Sequence, residues 1–287
     1  SGVEGEVKTS IDINPVANSI YQHNFPDVKL LHRNIQGLTP KFINKLGVDT
    51  ILMSPPCQPF TRNGLQADVE DERTKSFVHI LDILPLLNIE KILIENVKGF
   101  ETSQMRELLI ATLTKCGFVY QEFILNPTQI GVPNSRHRYY CLASKSVNGF
   151  PFETGPLKSE LPSSSESAEK ENCFKISQII EHNVDLNPFY LDDKILRKHL
   201  NVLDICFFNS INSCCFTKAY GRYIEGTGSV FTEKSEEFVQ EIYKQAFGCE
   251  AGSEEYLRLA RQLNLRFFTP REVCRLMCFP ETFTFPK

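Results

Sequence analysis

The chain has 287 residues, of which 41% are hydrophobic, and a formal net charge of −4. This length allows roughly two folding units. The acidic balance excludes a protein that coats nucleic acid by bulk electrostatics, so any contact with nucleic acid must use a local basic surface. Ten cysteines without a CxxC pair, no leader and no apolar run of membrane length predict an intracellular protein with reduced thiols and no membrane contact.

The first half of the chain alternates apolar strands with amphipathic helices. A strand is predicted over residues 7–13. Asn14 is a good N-cap and Pro15 a good first residue for a helix over 15–24. Such alternation indicates an α/β fold with a doubly wound sheet. Further helices are predicted from Thr39-Pro40, over 74–88 and over 104–116, and further strands over 91–97, 118–125 and 139–143.

The stretch 49–60 combines a buried strand with a stiff turn. Its apolar run, residues 51–53, ends at a proline pair that cannot continue a sheet ladder. Pro55 and Pro56 fix two successive φ angles, so Cys57 is held at the carboxyl end of the strand, where open α/β sheets bind ligands. Taken alone, this cysteine is either a nucleophile or a small apolar filler.

Two later stretches place charged side chains near the ends of further strands. The apolar strand over 91–97 carries Glu95, and Arg136 and Arg138 come directly before the strand over 139–143. A thiol, a carboxylic acid and a cation pair at the ends of successive strands form a usable reaction site. The alternative for the two arginines is a cation pair at a strand edge in solvent.

Three short motifs follow one another in the chain: Pro-Pro-Cys-Gln at 55–58, Glu-Asn-Val at 95–97 and Arg-x-Arg at 136–138. In this order they resemble the motifs of the cytosine-5 methyltransferase family. The resemblance covers residues 7 to about 145 and about 266 to 286. It implies a Rossmann-like sheet of the class I S-adenosylmethionine methyltransferase type, together with a smaller target-recognition domain.

The resemblance implies a catalytic role for each motif. Cys57 is the expected nucleophile, because C5 of cytosine accepts a methyl group from a sulfonium only after a thiolate has added to C6. Glu95 is the expected acid, and protonation of ring N3 by such a group raises the reaction rate roughly 100- to 10,000-fold. Arg136 and Arg138 are expected around the base carbonyl and the acid, where they lower the thiol pKa and hold the base in plane.

The same resemblance implies an S-adenosylmethionine site at the ends of the first two strands. Asp12 is expected to bind the ribose hydroxyls, with Ile13 against the adenine. Asn34 and Ile35 are expected at the adenine edge, although family members often carry an acidic residue in place of Asn34. The alternative for Asp12 is a simple strand-end cap. Pro55 is the remaining expected cofactor contact.

Measured against the family pattern, we expect the first strand, the glycine loop and the first helix to be missing, together with the final Gly-Asn-Ser segment and last helix. Those segments complete the cofactor site in this family. The resemblance therefore predicts that these 287 residues bind the cofactor poorly and turn over little or not at all.

The composition changes at residues 149–172, which are rich in Pro, Ser and Glu and predict a flexible connector. The resemblance then gives a catalytic domain at 1–148, a target-recognition domain at 173–265 and a return segment at 266–287. Within the last two we predict a helix around 192–203, strands around 214–219 and 229–232, and a helix after a capping box at Thr269, which packs the small domain against the large one.

Cys215-Phe216-Thr217 by itself predicts only a small buried strand. In this position it resembles the hallmark of the family branch that methylates aspartate tRNA at cytosine 38 of the anticodon loop. Asn134, where the wider family usually has glutamine, also fits that branch. An anticodon-loop base is already unpaired, which favours RNA over duplex DNA. The predicted substrate contacts are Gln58, Arg62, Cys215, Phe216, Thr217 and Lys218.

Two other interpretations stay open: a DNA cytosine-5 methyltransferase, and a non-catalytic nucleic-acid-binding relative. Cys274 and Cys278 share a helical spacing but have no matching pair nearby, so we expect no metal site. We further expect a monomer in the cytoplasm, and also in the nucleus. The candidate basic surfaces are Arg62 with Arg73, Arg136 with Arg138, Lys218 with Arg222, and a helix with Arg258, Arg261 and Arg266.

Overall fold

The structure is a computed structural model that describes residues 4–56, 74–146, 149–162 and 173–286. It divides into two compact units. The boundaries differ from those expected, because 126–136 and most of the 266–287 segment belong to the second unit. The first unit contains Ser1–Leu125, His137–Pro162 and Thr282–Lys287, and the second contains Asn126–Arg136 and Ser163–Glu281.

The first unit confirms the predicted alternation of strands and helices. The Asn14 side chain accepts hydrogen bonds from the first helical N–H groups, as expected of an N-cap. The helix predicted over 74–88 ends earlier, at Ile83, and becomes a 3-10 turn at Leu84–Leu86, because Pro85 has no N–H to donate. The elements are β1 (Ser10–Asp12), α1 (Pro15–Asn24), β2 (Leu30–His32), α2 (Pro40–Lys45), β3 (Thr50–Met53), α3 (Lys75–Ile83), β4 (Lys91–Val97), α4 (Gln104–Lys115), β5 (Val119–Leu125) and β6 (Arg138–Ser144).

Two sheets form in the first unit. β1 and β2 pair in parallel, and a four-stranded sheet has the order β3-β4-β6-β5. β3 and β4 are parallel, whereas β6 is antiparallel to both of its neighbours. One face of this sheet, which includes Ile94 and Cys141, is buried against the helices. The opposite face of the sheet is only half-buried. These strands and helices confirm the predicted α/β fold.

A buried carboxylate ties together α4, β5 and β6. Glu122 accepts hydrogen bonds from Arg106 Nε at 2.8 Å and from the Tyr139 hydroxyl at 2.7 Å. The hydrogen bond to Glu122 raises the pKa of Arg106, and burial raises the pKa of Tyr139. Because every charged group of this network has a partner, the network fixes the strands without leaving a buried charge uncompensated.

The described part of the segment rich in Pro, Ser and Glu lies against the edge strand β5. Gly155 N donates to Gln121 Oε1 at 2.8 Å, and Gln121 Nε2 donates to Pro156 O at 3.0 Å. Lys158 N then donates to Glu122 O at 3.0 Å. Residues 149–162 belong to the first unit, so this part of the expected flexible connector is held in place by β5. Residues 163–172 lie outside the described ranges.

The second unit combines four helices with a small sheet in the order β7-β8-β9. The strand predicted around 229–232 is confirmed by β8, whereas the one predicted around 214–219 is wrong. Cys214 N donates to the Ser229 hydroxyl rather than to a neighbouring strand, and the chain turns after Thr217. The elements are α5 (Asp193–His199), β7 (Ile205–Cys206), β8 (Val230–Phe231), α6 (Glu236–Phe247), α7 (Glu254–Gln262), β9 (Arg266–Phe267) and α8 (Pro270–Leu276).

A buried ion pair connects β9 to α8. Arg266 donates to Glu272 with both terminal nitrogens, at 2.7 and 2.8 Å, and its guanidinium lies 4.7 Å from the centre of the Phe231 ring. Glu272 also accepts from Thr269 N, which forms the predicted capping box. Arg266 is therefore part of the core, and the prediction that it contributes to a basic surface is wrong.

None of the helices within the described ranges is long and apolar enough to cross a membrane.

We expect Glu272→Ala to destabilise the second unit by about 3–5 kcal/mol, because it leaves the Arg266 guanidinium buried without a counter-charge. Urea unfolding followed by circular dichroism measures this loss. The control is Glu281→Ala, which removes the exposed partner of Arg275 and should leave the midpoint unchanged. Equal midpoints for the two variants would contradict the role of the buried pair.

Candidate active site

The pairing of β4 with β6 brings Glu95 and Arg138 together. Glu95 lies opposite Tyr140 and Arg138 opposite Val97, so the two charged side chains are diagonal neighbours on one face of the sheet. Arg138 Nε lies 3.3 Å from Glu95 Oε1, and the side chains are 15% and 30% exposed, respectively. Glu95 is thus a carboxyl group that a fixed cation orients and that solvent still reaches, which suits proton transfer to a bound ring.

Asn96 fixes the end of β4 to the diproline turn. Its buried side chain donates from Nδ2 to Pro55 O at 3.4 Å, while its Oδ1 accepts from Val97 N at 2.8 Å. This asparagine belongs to the Glu-Asn-Val motif, which by itself predicts no role for it. Cys57 follows the same turn and lies outside the described residues, as do Gln58 and Arg62.

Arg136 lies in the second unit and contacts the loop that carries Cys215-Phe216-Thr217. Its Nη1 donates to Cys215 Sγ at 3.3 Å and to Phe216 O at 3.2 Å. Its backbone N–H donates to Asn126 Oδ1 at 2.8 Å. The two arginines of the Arg-x-Arg motif therefore have different partners, since Arg138 pairs with Glu95.

Asn126 is a second residue to which the sequence analysis gave no role. It begins the 3-10 turn Pro127–Ile130, and Gln129 completes a capping box with it. An asparagine before proline, with glutamine three residues after it, is a recognisable start signal, so this residue could have been found from the sequence. Its Oδ1 holds the backbone of Arg136.

The predicted substrate contacts of the second unit divide into buried and exposed groups. The Phe216 ring is buried in edge contact with Tyr220 and Phe268, at centroid distances of 4.8 and 5.6 Å. Only its carbonyl is therefore available to the site, and that carbonyl binds Arg136. Thr217 and Lys218 are exposed.

The expected cofactor residues lie at the ends of β1 and β2. Asp12 is exposed, and its Oδ1 accepts from Asn14 N at 2.7 Å, as a strand-end cap would. The Ile13 side chain beside it is 69% exposed. Asn34 caps the 3-10 turn that begins at Ile35, and Ile35 packs against the core. A solvent-facing carboxylate next to a solvent-facing aliphatic side chain fits a nucleoside, since it offers hydrogen-bond acceptors for hydroxyls and an apolar surface for the base.

Asn18 holds the two strand ends in place. Its buried Nδ2 donates to Asp12 O at 3.0 Å and lies 3.0 Å from His32 Nδ1, so one amide joins β1 to β2. The sequence analysis missed this residue. Its only signal was a polar residue within the predicted helix over 15–24.

Two other cysteines of the second unit, Cys206 and Cys214, are poor nucleophiles. Burial raises the pKa of Cys206 to about 12 and that of Cys214 to about 11, so both are neutral thiols at physiological pH.

Across the described part of the chain, no group of three or more His, Cys, Asp and Glu side chains is placed to hold a metal ion. Of the two cysteines with a helical spacing, Cys274 is buried and Cys278 is exposed.

Comparisons with known proteins agree on one family. The model for C-5 cytosine-specific DNA methylase matches residues 1–287. The chain is 51% identical over 294 residues to tRNA (cytosine(38)-C(5))-methyltransferase of Spodoptera frugiperda, covering 100% of this chain and 85% of the relative. It is 33% identical over 322 residues to a DNA (cytosine-5)-methyltransferase of Dictyostelium discoideum, covering 99% and 81%. A crystal structure of a Spodoptera frugiperda DNMT2 mutant superposes with a TM-score of 0.90 at 49% identity, covering 100% and 85%.

We expect Asn18→Ala to lower the free energy of unfolding by about 1–3 kcal/mol, because it removes the amide that joins the ends of β1 and β2. Thermal unfolding measures the change. Gln22→Ala is the matched control, since Gln22 lies on the same helix, is exposed and makes one hydrogen bond to Pro26 O. A loss for the control as large as that for Asn18→Ala would contradict the assigned role.

Proposed function

Because the chain belongs to the C-5 cytosine-specific methylase family, we propose that it methylates C5 of cytosine 38 in the anticodon loop of aspartate tRNA, with S-adenosylmethionine as the methyl donor. The family makes the chain a cytosine-5 methyltransferase. The observation that carries the proposed chemistry is the Glu95–Arg138 pair, in which Glu95 lies on β4 beside Asn96, the residue that donates to Pro55 O two residues before Cys57.

In the proposed reaction the Cys57 thiolate forms a bond to C6 of the cytosine. Glu95 takes up a proton from solvent and delivers it to ring N3, so the electrons of the C5–C6 double bond become available at C5 instead of leaving a negative ring. When bound, S-adenosylmethionine supplies the methyl group on a positively charged sulfur. After transfer to C5, hydroxide from solvent removes the C5 proton, the Cys57 sulfur leaves C6 as the thiolate, the C5–C6 double bond re-forms and ring N3 returns its proton to Glu95.

The arginines orient the reacting groups in this proposal. Arg138 holds Glu95 through its ion pair, so the carboxyl group faces a single direction. Arg136 is fixed by Cys215 Sγ and Phe216 O, and its guanidinium is proposed to bind the base carbonyl. Cys215 and Phe216 would then act through Arg136 rather than by touching the base.

The proposed cofactor contacts are the residues at the carboxyl ends of three strands. Asp12 would accept hydrogen bonds from the ribose hydroxyls and Ile13 would cover the adenine, with Asn34 and Ile35 at its edge. Pro55, at the end of β3, would border the methyl donor. The exposure of Asp12 and Ile13 supports this assignment.

A tRNA substrate is favoured by the name of the Spodoptera relative and by the cost of exposing the base. An anticodon-loop base is unpaired, whereas extruding a duplex base costs a few kcal/mol more. The Dictyostelium relative, named as a DNA methyltransferase, makes duplex DNA the second candidate substrate.

Transfer of a tritiated methyl group by the full-length protein under single-turnover conditions tests the proposal, since these 287 residues alone are expected to turn over little. We expect label in aspartate tRNA, none in the same tRNA with uridine at position 38, and less in duplex DNA. Cys57→Ala should abolish both transfer and covalent trapping on RNA with 5-fluorocytosine at that position. Preferred labelling of DNA, or transfer that survives Cys57→Ala, would contradict the substrate or the mechanism, respectively.

We also expect Cys215→Ala to lower kcat about five- to tenfold with little change in KM, because Arg136 loses one of its two acceptors. Cys215→Ser keeps an acceptor at this position and should restore most of the rate. Cys214→Ala is the matched control, because its thiol does not contact Arg136. Equal losses for the alanine variants at 214 and 215 would show that only packing is affected.

A further inference from the structure

The turn that follows Cys215-Phe216-Thr217 has a rigid backbone. The N–H groups of Arg222 and Tyr223 both donate to Ala219 O at 2.9 Å. The carbonyl of Tyr223 accepts from the hydroxyl of Thr227, a buried residue, at 2.6 Å. The main chain of Tyr223 is thus held on both sides. We call residues 217–226 the 217–226 turn.

The base of this turn is anchored in the core of the second unit. The Tyr220 hydroxyl donates to Ser229 O at 2.6 Å and accepts from Phe268 N at 2.8 Å. Gly228 has φ +149°, and a Cβ there would lie 2.7 Å from the Tyr220 ring and 2.8 Å from that of Phe216. Only glycine allows this close approach, so the turn has little freedom to move against its support.

The Tyr223 ring is exposed although its backbone is fixed. Its side chain is 58% exposed. Lys218 and Arg222, on the same turn, are exposed as well. A single exposed aromatic residue is ordinary, but an exposed ring on a fixed backbone that also carries two exposed cations is the combination that binds unpaired nucleic acid.

Arg222 differs from most arginines of its unit. Within the described residues it has no carboxylate within 4.0 Å, so its charge is not neutralised locally. The single acid of the turn, Glu225, lies 3.9 Å from His199 Nδ1 instead. Five other arginines of the unit do have carboxylate partners: Arg197, Arg258, Arg261, Arg266 and Arg275.

We propose that the 217–226 turn is an RNA-reading element in which the Tyr223 ring stacks on an unpaired nucleobase and Arg222 binds an adjacent phosphate. The inference rests on the proposed function and extends it to a second nucleotide of the same RNA. In a duplex each base face is covered by its neighbours, so a stacking ring selects a single-stranded loop. Because the backbone of the turn is fixed beforehand, binding loses little conformational entropy.

The test measures binding of the purified protein to a fluorescent anticodon stem-loop of aspartate tRNA at several salt concentrations. We expect Tyr223→Ala to raise Kd by at least about fivefold and Tyr223→Phe to bind as the wild type does, since stacking needs the ring and not the hydroxyl. Arg222→Ala should flatten the plot of log K against log salt by about 0.7–1, the effect of one lost phosphate contact. Tyr223→Ala should leave that slope unchanged.

Tyr190→Ala is the matched control, because Tyr190 is another exposed tyrosine of the second unit. Thermal unfolding checks that each variant folds. A Kd for Tyr223→Ala equal to that of the control overturns the inference, and the exposed ring would then be assigned to contact with a protein partner. An increase in Kd for Tyr223→Phe as large as that for Tyr223→Ala overturns stacking. Methyl transfer by the wild type is measured separately, so its absence contradicts the proposed function, whereas unchanged binding contradicts only this inference.

Discussion

The antiparallel pairing of β4 with β6 is the constraint on which the first unit depends. Side chains alternate between the faces of a sheet, so a shift of one residue in this pairing would exchange the buried and half-exposed faces of β6 relative to β4. In the observed register Ile94 and Cys141 face the core together, and Glu95 and Arg138 meet on the other face. The same hydrogen bonds that stabilise the sheet therefore also place the acid beside its cation.

The second unit uses buried polar contacts and aromatic packing in the same way. The Arg266–Glu272 pair joins β9 to α8, and the Phe216 and Tyr220 rings pack below the 217–226 turn. Because the Phe216 ring is fixed in the core, its carbonyl and the neighbouring Cys215 thiol present two acceptors to Arg136 at a fixed position. Core packing thus determines the orientation of the Arg136 guanidinium.

The charged side chains of the second unit differ in whether they are paired with opposite charges. Among the described residues of the second unit, five arginines have carboxylate partners, whereas Arg222 has none within 4.0 Å. Bulk electrostatics would attract any phosphate backbone, whereas a few fixed cations beside an aromatic ring respond to the shape of a loop. Such a surface suits an enzyme that acts on one nucleotide of a folded RNA.

The sequence by itself determined most elements of the first unit and several local signals of the second. Caps and prolines act within a few residues, so the helix over 15–24 and the capping box at Thr269 were predictable. Motif order identified the family, and the placement of Glu95 and Arg138 near strand ends followed from apolar runs. These features depend on neighbours in the chain, which a sequence displays directly.

Only the tertiary structure decided which distant groups meet. Arg266 has the charge of a surface residue, but a partner six residues away and an aromatic ring from another strand bury it. The chain at 214–217 has strand-like composition, yet a serine hydroxyl takes the hydrogen bond that a strand would need. Arg136 likewise gains its role from Cys215 and Phe216, 79 and 80 residues further along the chain, and Asn18 from His32 on the next strand. Strand register and side-chain hydrogen bonds depend on contacts between separate segments of the chain, so the local amino-acid composition does not predict them.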